Sequence, residues 1–426
     1  MTEATVPTDA HASPRIDLVG DIHGASVRLL RLLAKLGYAK SGGRWTHSDG
    51  ARLVFLGDYA DKGDDVEGGI ELVRELCDHR VACAIAGNHD TNALAFCMRR
   101  DAWSFDALGA RASAHAMRSG EADLGSGWVR RHSRKNIKQH CRTLGLEASS
   151  YQETIAWFAE LPLWLELPGL RAVHAAWIPP SIRKIRSLAA REGSDEIDTT
   201  RTDIAWLEAR SIDEAIELQQ ARHRRGGITT QDWRLLLDLH SERDERTAAV
   251  KLVGEEINAD RSMPDRSHAV ALERVLKGVE CPLGDVKFRD AEGVERRQVR
   301  IRWFDAAAGR TVVDHVLVPT ELRERLSAQC PSHTFAGIAE NLARESVHTP
   351  LLDTLIPFHA RDAYGADERP VFFGHYGFKP GEGCILLRNN VACLDTSAYD
   401  DEHGALTAYC WQGEQALDPR FIVTMP

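Results

Sequence analysis

The sequence predicts an α/β fold, and three observations carry that prediction. Apolar runs at Arg15–Gly20, Ala51–Leu56 and Val81–Ala86 each close in a glycine followed by Asp or Asn. Patterns of helical period follow the first two, at about 25–36 and 65–77. Strand, polar loop and helix thus alternate, which implies parallel strands joined by crossover helices. In such sheets ligands gather at loops beyond the carboxyl ends of strands, and each of these three loops carries Asp, His or Asn.

The rest of the chain is read the same way. Residues 1–14 are small and polar, a loose tail. Residues 100–160 are largely helical in pattern. Leu163–Leu167 and Leu170–Val173 are apolar runs split by the turn signal Pro168-Gly169, and the second leads into His174. From about 180 to 366 the strand rhythm is interrupted. Within that stretch 200–260 is charged and helix-like, and Val286–Trp303 reads as a hairpin turning at 290–293. The rhythm returns at Val371–Gly374, Val391–Leu394 and Leu406–Trp411. The expected organisation is a tail over 1–14, a core built from 15–178 and 366–426, and an α+β insertion over 179–365.

Composition narrows the function. A chain of 426 residues with 43% hydrophobic and 27% charged residues is ordinary for a soluble globular protein and exceeds one compact core. No apolar run approaches the ~18 residues of a membrane span, and the N-terminus lacks the basic start and apolar stretch of a secretory signal. Nine scattered cysteines, none in a CxxC pair, fit reduced thiols and a cytoplasmic location. A net charge of −10 argues against extended nucleic-acid binding, and no membrane partner is expected.

Five strand ends share a chemical plan. Gly20-Asp21-Ile22-His23-Gly24 offers a carboxylate and an imidazole. Gly57-Asp58-Tyr59-Ala60-Asp61-Lys62-Gly63 offers two carboxylates and a cation. Gly87-Asn88-His89-Asp90 offers an amide oxygen, an imidazole and an acid. Val173-His174 and Phe373-Gly374-His375 each end an apolar run in histidine. This mixture of oxygen and imidazole donors suits first-row divalent metals, whereas Mg²⁺ alone favours fewer imidazoles. His174 taken alone equally suits a satisfied core histidine.

The ordered set GDxHG, GDxxDxG, GNHD, VH and GH resembles the calcineurin-like metallophosphoesterases, and more narrowly the bacterial side of their phosphoprotein-phosphatase branch. Leu394-Asp395-Thr396-Ser397 with the following Ala405–Trp411 resembles the strand that closes those domains. The resemblance covers about 15–178 and 366–415. It implies a sandwich of two mixed β-sheets flanked by helices, with two divalent transition metals at one edge; manganese is expected, with iron or zinc as alternatives. It implies that Asp21 and His23 bind the first metal, that Asp58 bridges, and that Asn88, His174 and His375 complete the second. It also implies a water activated between the metals, His89 as the acid that protonates the leaving oxygen, and Asp61 as its hydrogen-bond partner.

Two departures from the family pattern carry information. The family loop reads GDxxDRG, but Lys62 stands at the arginine position and supplies a point charge in place of a two-pronged fork. GNHD replaces GNHE, which tilts the reading from phosphoproteins toward nucleotides or RNA ends. Lys62, Arg131 and Tyr376 are the candidate substrate contacts. Arg131 lies in Trp128–Arg142, a stretch rich in Arg and Lys with no acid, which reads either as a basic rim for a polyanion or as a solvated helix face. The expected activity is hydrolysis of a phosphate monoester on a small molecule, nucleotide, phosphoprotein or RNA end. The alternative is a dinucleoside-polyphosphate or nucleotide pyrophosphohydrolase. A non-catalytic binding module is a third reading, which metal uptake would separate from the others.

Overall fold

The computed structural model describes residues 14–97, 148–187, 206–225, 267–282, 288–289, 295–296, 298–305, 315–318, 323–324, 327, 363–380 and 385–426. In chain order they form β1 (Ile16–Val19), α1 (Ser26–Leu36), β2 (Tyr38–Ser41), β3 (Arg44–His47), β4 (Arg52–Phe55), α2 (Val66–Asp78), β5 (Ala82–Ala84) and α3 (Asn88–Cys97). Next come α4 (Ala148–Glu160), β6 (Trp164–Glu166), β7 (Arg171–Val173), α5 (Pro179–Arg186), β8 (Leu207–Glu208), α6 (Ile212–Arg225) and α7 (Ser267–Lys277). Then follow β9 (Glu280–Pro282), β10 (Phe288–Arg289), β11 (Glu295–Arg296), β12 (Gln298–Arg300), β13 (Val371–Phe373), β14 (Leu386–Arg388), β15 (Val391–Cys393), β16 (Leu406–Trp411) and β17 (Ile422–Met425).

Two mixed sheets form the body. The first has the order β17-β16-β1-β4-β5 and the second β14-β15-β13-β7-β6-β8. In the first, β1, β4 and β5 run parallel while β16 and β17 add antiparallel edges. In the second, β13 is parallel to β7 and β15, and β7 returns antiparallel beside β6 after the Pro168-Gly169 turn.

Strand alternation explains why these runs are apolar throughout. Ile16 and Leu18 of β1, with Val54, Leu56, Cys83 and Ile85, pack against Leu165, Ala172, Phe372, Ala392 and Leu394 in the layer between the sheets. The alternate residues Val19, Phe55 and Ala84 belong to the core that includes Leu29, Leu32 and Leu33 of α1 and Ile70, Val73 and Leu76 of α2. With both faces covered, polar residues gather at the strand ends; Asp17 of β1 is the buried exception, accepting from the Tyr38 hydroxyl and pairing with Arg15. Each fully buried leucine contributes about 1.5–3 kcal/mol to this packing.

Three points differ from the sequence reading. The β2–β3 hairpin falls between the first helix and second parallel strand, where none was expected. Its signal is the Gly42-Gly43 pair, which takes positive φ (57° and 79°) at the two-residue turn. Second, β8 lies within 179–365, yet it is the edge strand of the second sheet. On α6, Gln219 accepts from Ala84 N (3.1 Å) and donates to Ala84 O (2.7 Å) of β5. The core therefore takes in 206–225 as well, because the edges of β6 and β5 need partners. Third, the hairpin expected over 286–303 is short, β10 with β11, and β12 pairs with β9 instead.

Candidate active site

The loops after β1, β4, β5, β7 and β13 converge. Asp58 is their centre, and its two carboxylate oxygens face different groups. Oδ2 lies 3.3 Å from His23 Nε2 and 3.9 Å from His89 Nε2, while Oδ1 lies 3.3 Å from His174 Nε2. His174 Nε2 and His375 Nδ1 also lie 3.0 and 2.7 Å from the amide oxygen of Asn88. Asp21 closes the other side, 3.9 Å from His23 Nε2, and accepts from the backbone N–H of His375. Two groups able to hold a metal ion result, His23–Asp58–His89 and Asp58–His174–His375, with Asp58 common to both.

The surroundings test whether a cation fits. His23 Nδ1 lies 2.9 Å from Ala60 O and His174 Nδ1 lies 2.8 Å from Leu56 O. Those carbonyls hold the proton on Nδ1 and turn the Nε2 lone pairs inward, the arrangement that orients imidazoles for a metal. The neutral His174 lone pair then faces two oxygen acceptors, Asn88 Oδ1 and Asp58 Oδ1, and a shared cation reconciles all three. The charges agree. Burial, with Asp395 and Asp58 close by, pushes the Asp21 carboxyl well above the usual carboxylate range. Burial acts to raise Asp58 too, but His174 and His89 outweigh it and hold that carboxyl well below the usual range. Burial acts to lower His174, yet the Asp58 carboxylate wins and raises it. The donor set thus fits divalent cations at both groups.

His89 stands at the entrance with its side chain 17% exposed, while Asp61 is buried behind it. His89 Nδ1 lies 2.7 Å from Asp61 Oδ2, which leaves Nε2 to face the Asp58 side. Lys62 also reaches this mouth, its Nζ 3.0 Å from His23 Nε2. Tyr376 does not: its ring is 3% exposed and sits among Phe373 and Phe378, supporting His375 from behind. Arg131 and the basic stretch around it lie outside the described residues.

The backbone around the site is strained. His23, Asp58, Asp61, Lys62 and His375 all take positive φ, between 44° and 75°. Such positions cost about 1–3 kcal/mol each and persist only where the surroundings enforce them. Asp90 is the main enforcer, a role sequence reasoning missed. Its buried carboxylate accepts four backbone N–H groups: Gly87 and Asp58 at 2.9 Å, Tyr59 at 3.0 Å and Ala60 at 3.2 Å. Burial and the nearby Asp58 carboxylate push the Asp90 carboxyl up to about 6 even so. Asp395 does the same on the far side, accepting from Gly377 N (2.6 Å) and Ser397 N (3.0 Å).

The motif glycines answer to close approach. A Cβ on Gly374 would lie 1.8 Å from Asp21 Oδ1, and one on Gly87 would lie 2.2 Å from both the N and Oδ1 of Asp58. Loops from different strands cross here at backbone distance, so a side chain would displace a site carboxylate.

Residues 14–222 match the family model of the calcineurin-like phosphoesterases. The chain is 43% identical over 75 residues to the asymmetrical bis(5'-nucleosyl)-tetraphosphatase PrpE of Oceanobacillus iheyensis, covering 18% of this chain and 30% of that protein. It is 36% identical over 87 residues to the PrpE of a Geobacillus species, covering 20% of this chain and 36% of the relative. The chain thus spans about a third of the length of these curated relatives. The solved cold-active protein-tyrosine phosphatase of a psychrophilic Shewanella aligns over 97% of this chain and 81% of its own at 13% identity. Its TM-score is 0.34, too low to bear on fold or activity. No helix among the described residues is long and apolar enough to cross a membrane.

Proposed function

We propose that this protein is a dimetal-dependent phosphatase that hydrolyses a phosphate monoester. The observation that carries the reading is the placement of Asp58, whose two oxygens each face a separate group of imidazoles 3.3 Å away. Asp21, His23 and Asp58 would hold one ion, and Asp58, Asn88, His174 and His375 the other. Manganese suits this donor set, with iron and zinc as alternatives. When bound, two such ions supply Lewis acidity toward the phosphoryl oxygens and an acidified water nucleophile.

The chain's own residues do the rest. His89 stands where it can give its Nε2 proton to the leaving oxygen, and Asp61 at 2.7 Å keeps the ring oriented. Lys62 meets a phosphoryl oxygen at the mouth. An oriented acid matters most when the leaving group is a poor one, an alkoxide, and least when it is an already acidic phosphate. The His89–Asp61 pair therefore supports an ester of an alcohol.

A second reading is the hydrolysis of a dinucleoside tetraphosphate, supported by the names of the PrpE relatives. One panel separates the two on manganese-loaded protein: an alkyl phosphate, p-nitrophenyl phosphate and diadenosine tetraphosphate. A monoester is expected to lead by more than about tenfold in kcat/KM, or ~1.4 kcal/mol of barrier. The reverse ranking moves the substrate to the second reading. His89→Asn is expected to slow the alkyl ester by about 10²–10⁴ and p-nitrophenyl phosphate far less. Equal losses on both would remove His89 as the acid.

A further inference from the structure

A lysine where the family carries an arginine poses a physical problem. The guanidinium is planar and orients itself on a phosphate, whereas an ammonium on a four-carbon stem must be held in place by something else. In this structure the Lys62 ammonium lies 4.3 Å from the centroid of the Tyr399 ring. The same ring meets His23 edge-on, centroids 5.6 Å apart at 87°. The Lys62 ammonium thus lies between an aromatic ring and the imidazole that faces Asp58, and the ring is the neighbour that remains once His23 Nε2 turns to a metal.

The loop that presents Tyr399 is itself built to hold one shape. Arg28 of α1, its side chain 12% exposed, donates to the carbonyls of Ala398, Asp400 (3.0 Å) and Asp401 (3.3 Å), on both sides of the tyrosine. Asp400 N donates to Ser397 O and Gly404 N to Asp400 O, both at 2.9 Å. The Asp400 carboxylate accepts from Glu402 N and His403 N at 3.0 Å. Asp395, beside the site, anchors the loop's start through Ser397 N. Tyr399 is therefore clamped from α1 on one side and from the site on the other.

We infer that Tyr399 is a positioning residue for Lys62: its ring holds the ammonium over the mouth of the site and supplies the orientation that an arginine fork would have carried. The inference rests on the reading of Lys62 as a phosphate contact. The Tyr399 ring also meets the His23 ring edge-on, and the Lys62→Met background in the test below separates an effect through Lys62 from one through His23.

The test is a double-mutant cycle read by equilibrium binding of inorganic phosphate to manganese-loaded protein, measured calorimetrically. Tyr399→Leu is expected to weaken phosphate binding about two- to fivefold, the scale of one partly exposed cation–π contact. Tyr399→Phe, which keeps the ring, restores wild-type affinity. In a Lys62→Met background, Tyr399→Leu should cause no further loss, because the group it positions is gone. Arg28→Gln, which loosens the loop without altering ring or ammonium, should weaken binding in the same direction. It also serves if Tyr399→Leu melts early. Equal effects of Tyr399→Leu with and without Lys62, or no effect in the wild type, overturn the inference. So does a loss confined to substrates with aromatic leaving groups, which would make Tyr399 a stacking surface. Wild-type protein that binds phosphate with Lys62→Met silent removes Lys62 as a contact and the inference with it. Wild-type protein that takes up manganese but binds no phosphate overturns the phosphatase reading itself.

Discussion

Replacing Asp90 by Asn tests how the site loops are held. One Asp90 oxygen accepts from Gly87 N and Asp58 N, the other from Tyr59 N and Ala60 N. An asparagine supplies only one oxygen, and its NH₂ must face the remaining two N–H donors. Two hydrogen bonds to a charged acceptor are lost, about 1.5–3 kcal/mol each, in a place water does not reach. Against this, the variant no longer buries a charge beside Asp58, and a carboxyl already pushed to about 6 recovers part of the loss. Allowing about 1–3 kcal/mol for that relief, we expect a net destabilisation of about 2–4 kcal/mol. The damage should be local, since these N–H groups hold Asp58 at a φ of 54°. The assay is chemical denaturation of the metal-free protein with manganese titration alongside. Stability should fall and manganese affinity should fall with it. A variant unchanged in both would refute the view that this carboxylate imposes the loop geometry, and would return Asp90 to a role in substrate choice.

The remaining predictions concern the centre and its supports. Asp58→Asn should lose manganese from both groups, read by elemental analysis after gel filtration; full retention of metal would sink the assignment of Asp58 as their shared member. Gly374→Ala should place a methyl on the Asp21 carboxylate, costing about 1–3 kcal/mol in overpacking and about 10–100-fold in metal affinity, while circular dichroism shows the sheets intact. At the far end of α2, Glu75 accepts from Trp45 Nε1 (2.9 Å) and pairs with Lys40 (2.7 Å), which holds its carboxyl below the ordinary glutamate range. A lowered acid stabilises the fold above its unfolded pKa, and that contribution disappears as pH falls through the folded one. Glu75→Gln should therefore cost about 0.2–1 kcal/mol at pH 7, and the gap to wild type should close in denaturation curves taken below the ordinary glutamate range.

How far the sequence could be read depended on whether a feature was local or long-range. Strands β1, β4, β5, β7 and β13 were visible as largely apolar runs, because burial on both faces leaves few polar residues between the strand ends, with Asp17 of β1 the buried exception. The parallel order of β1, β4 and β5 followed from the helices between them. The polar strand ends were visible for the complementary reason: a donor cluster needs loops, and glycine beside each donor marks where two backbones meet. The Gly42-Gly43 hairpin was equally local, and its turn signal lay in plain sight between two short strands.

What the sequence by itself determined was the set of donors: carboxylate, imidazole and amide oxygen at five strand ends, in an order that resembles the calcineurin-like phosphoesterases. Only the tertiary structure decided how those donors are held. Asp90 read as a hint about substrate until four backbone N–H groups were seen to converge on it. Tyr376 read as a pocket residue until its ring proved to lie in the core behind His375. Tyr399 drew no notice, because its contact with Lys62 and its anchorage to Arg28 join residues more than three hundred positions apart. Residues 206–225 read as insertion, although β8 and α6 complete the edges of the two sheets. Spacing along a chain reports which donors share a loop; which carboxylate is a donor, which a backbone clamp and which ring holds a cation depends on distances that exist only after the sheets have packed.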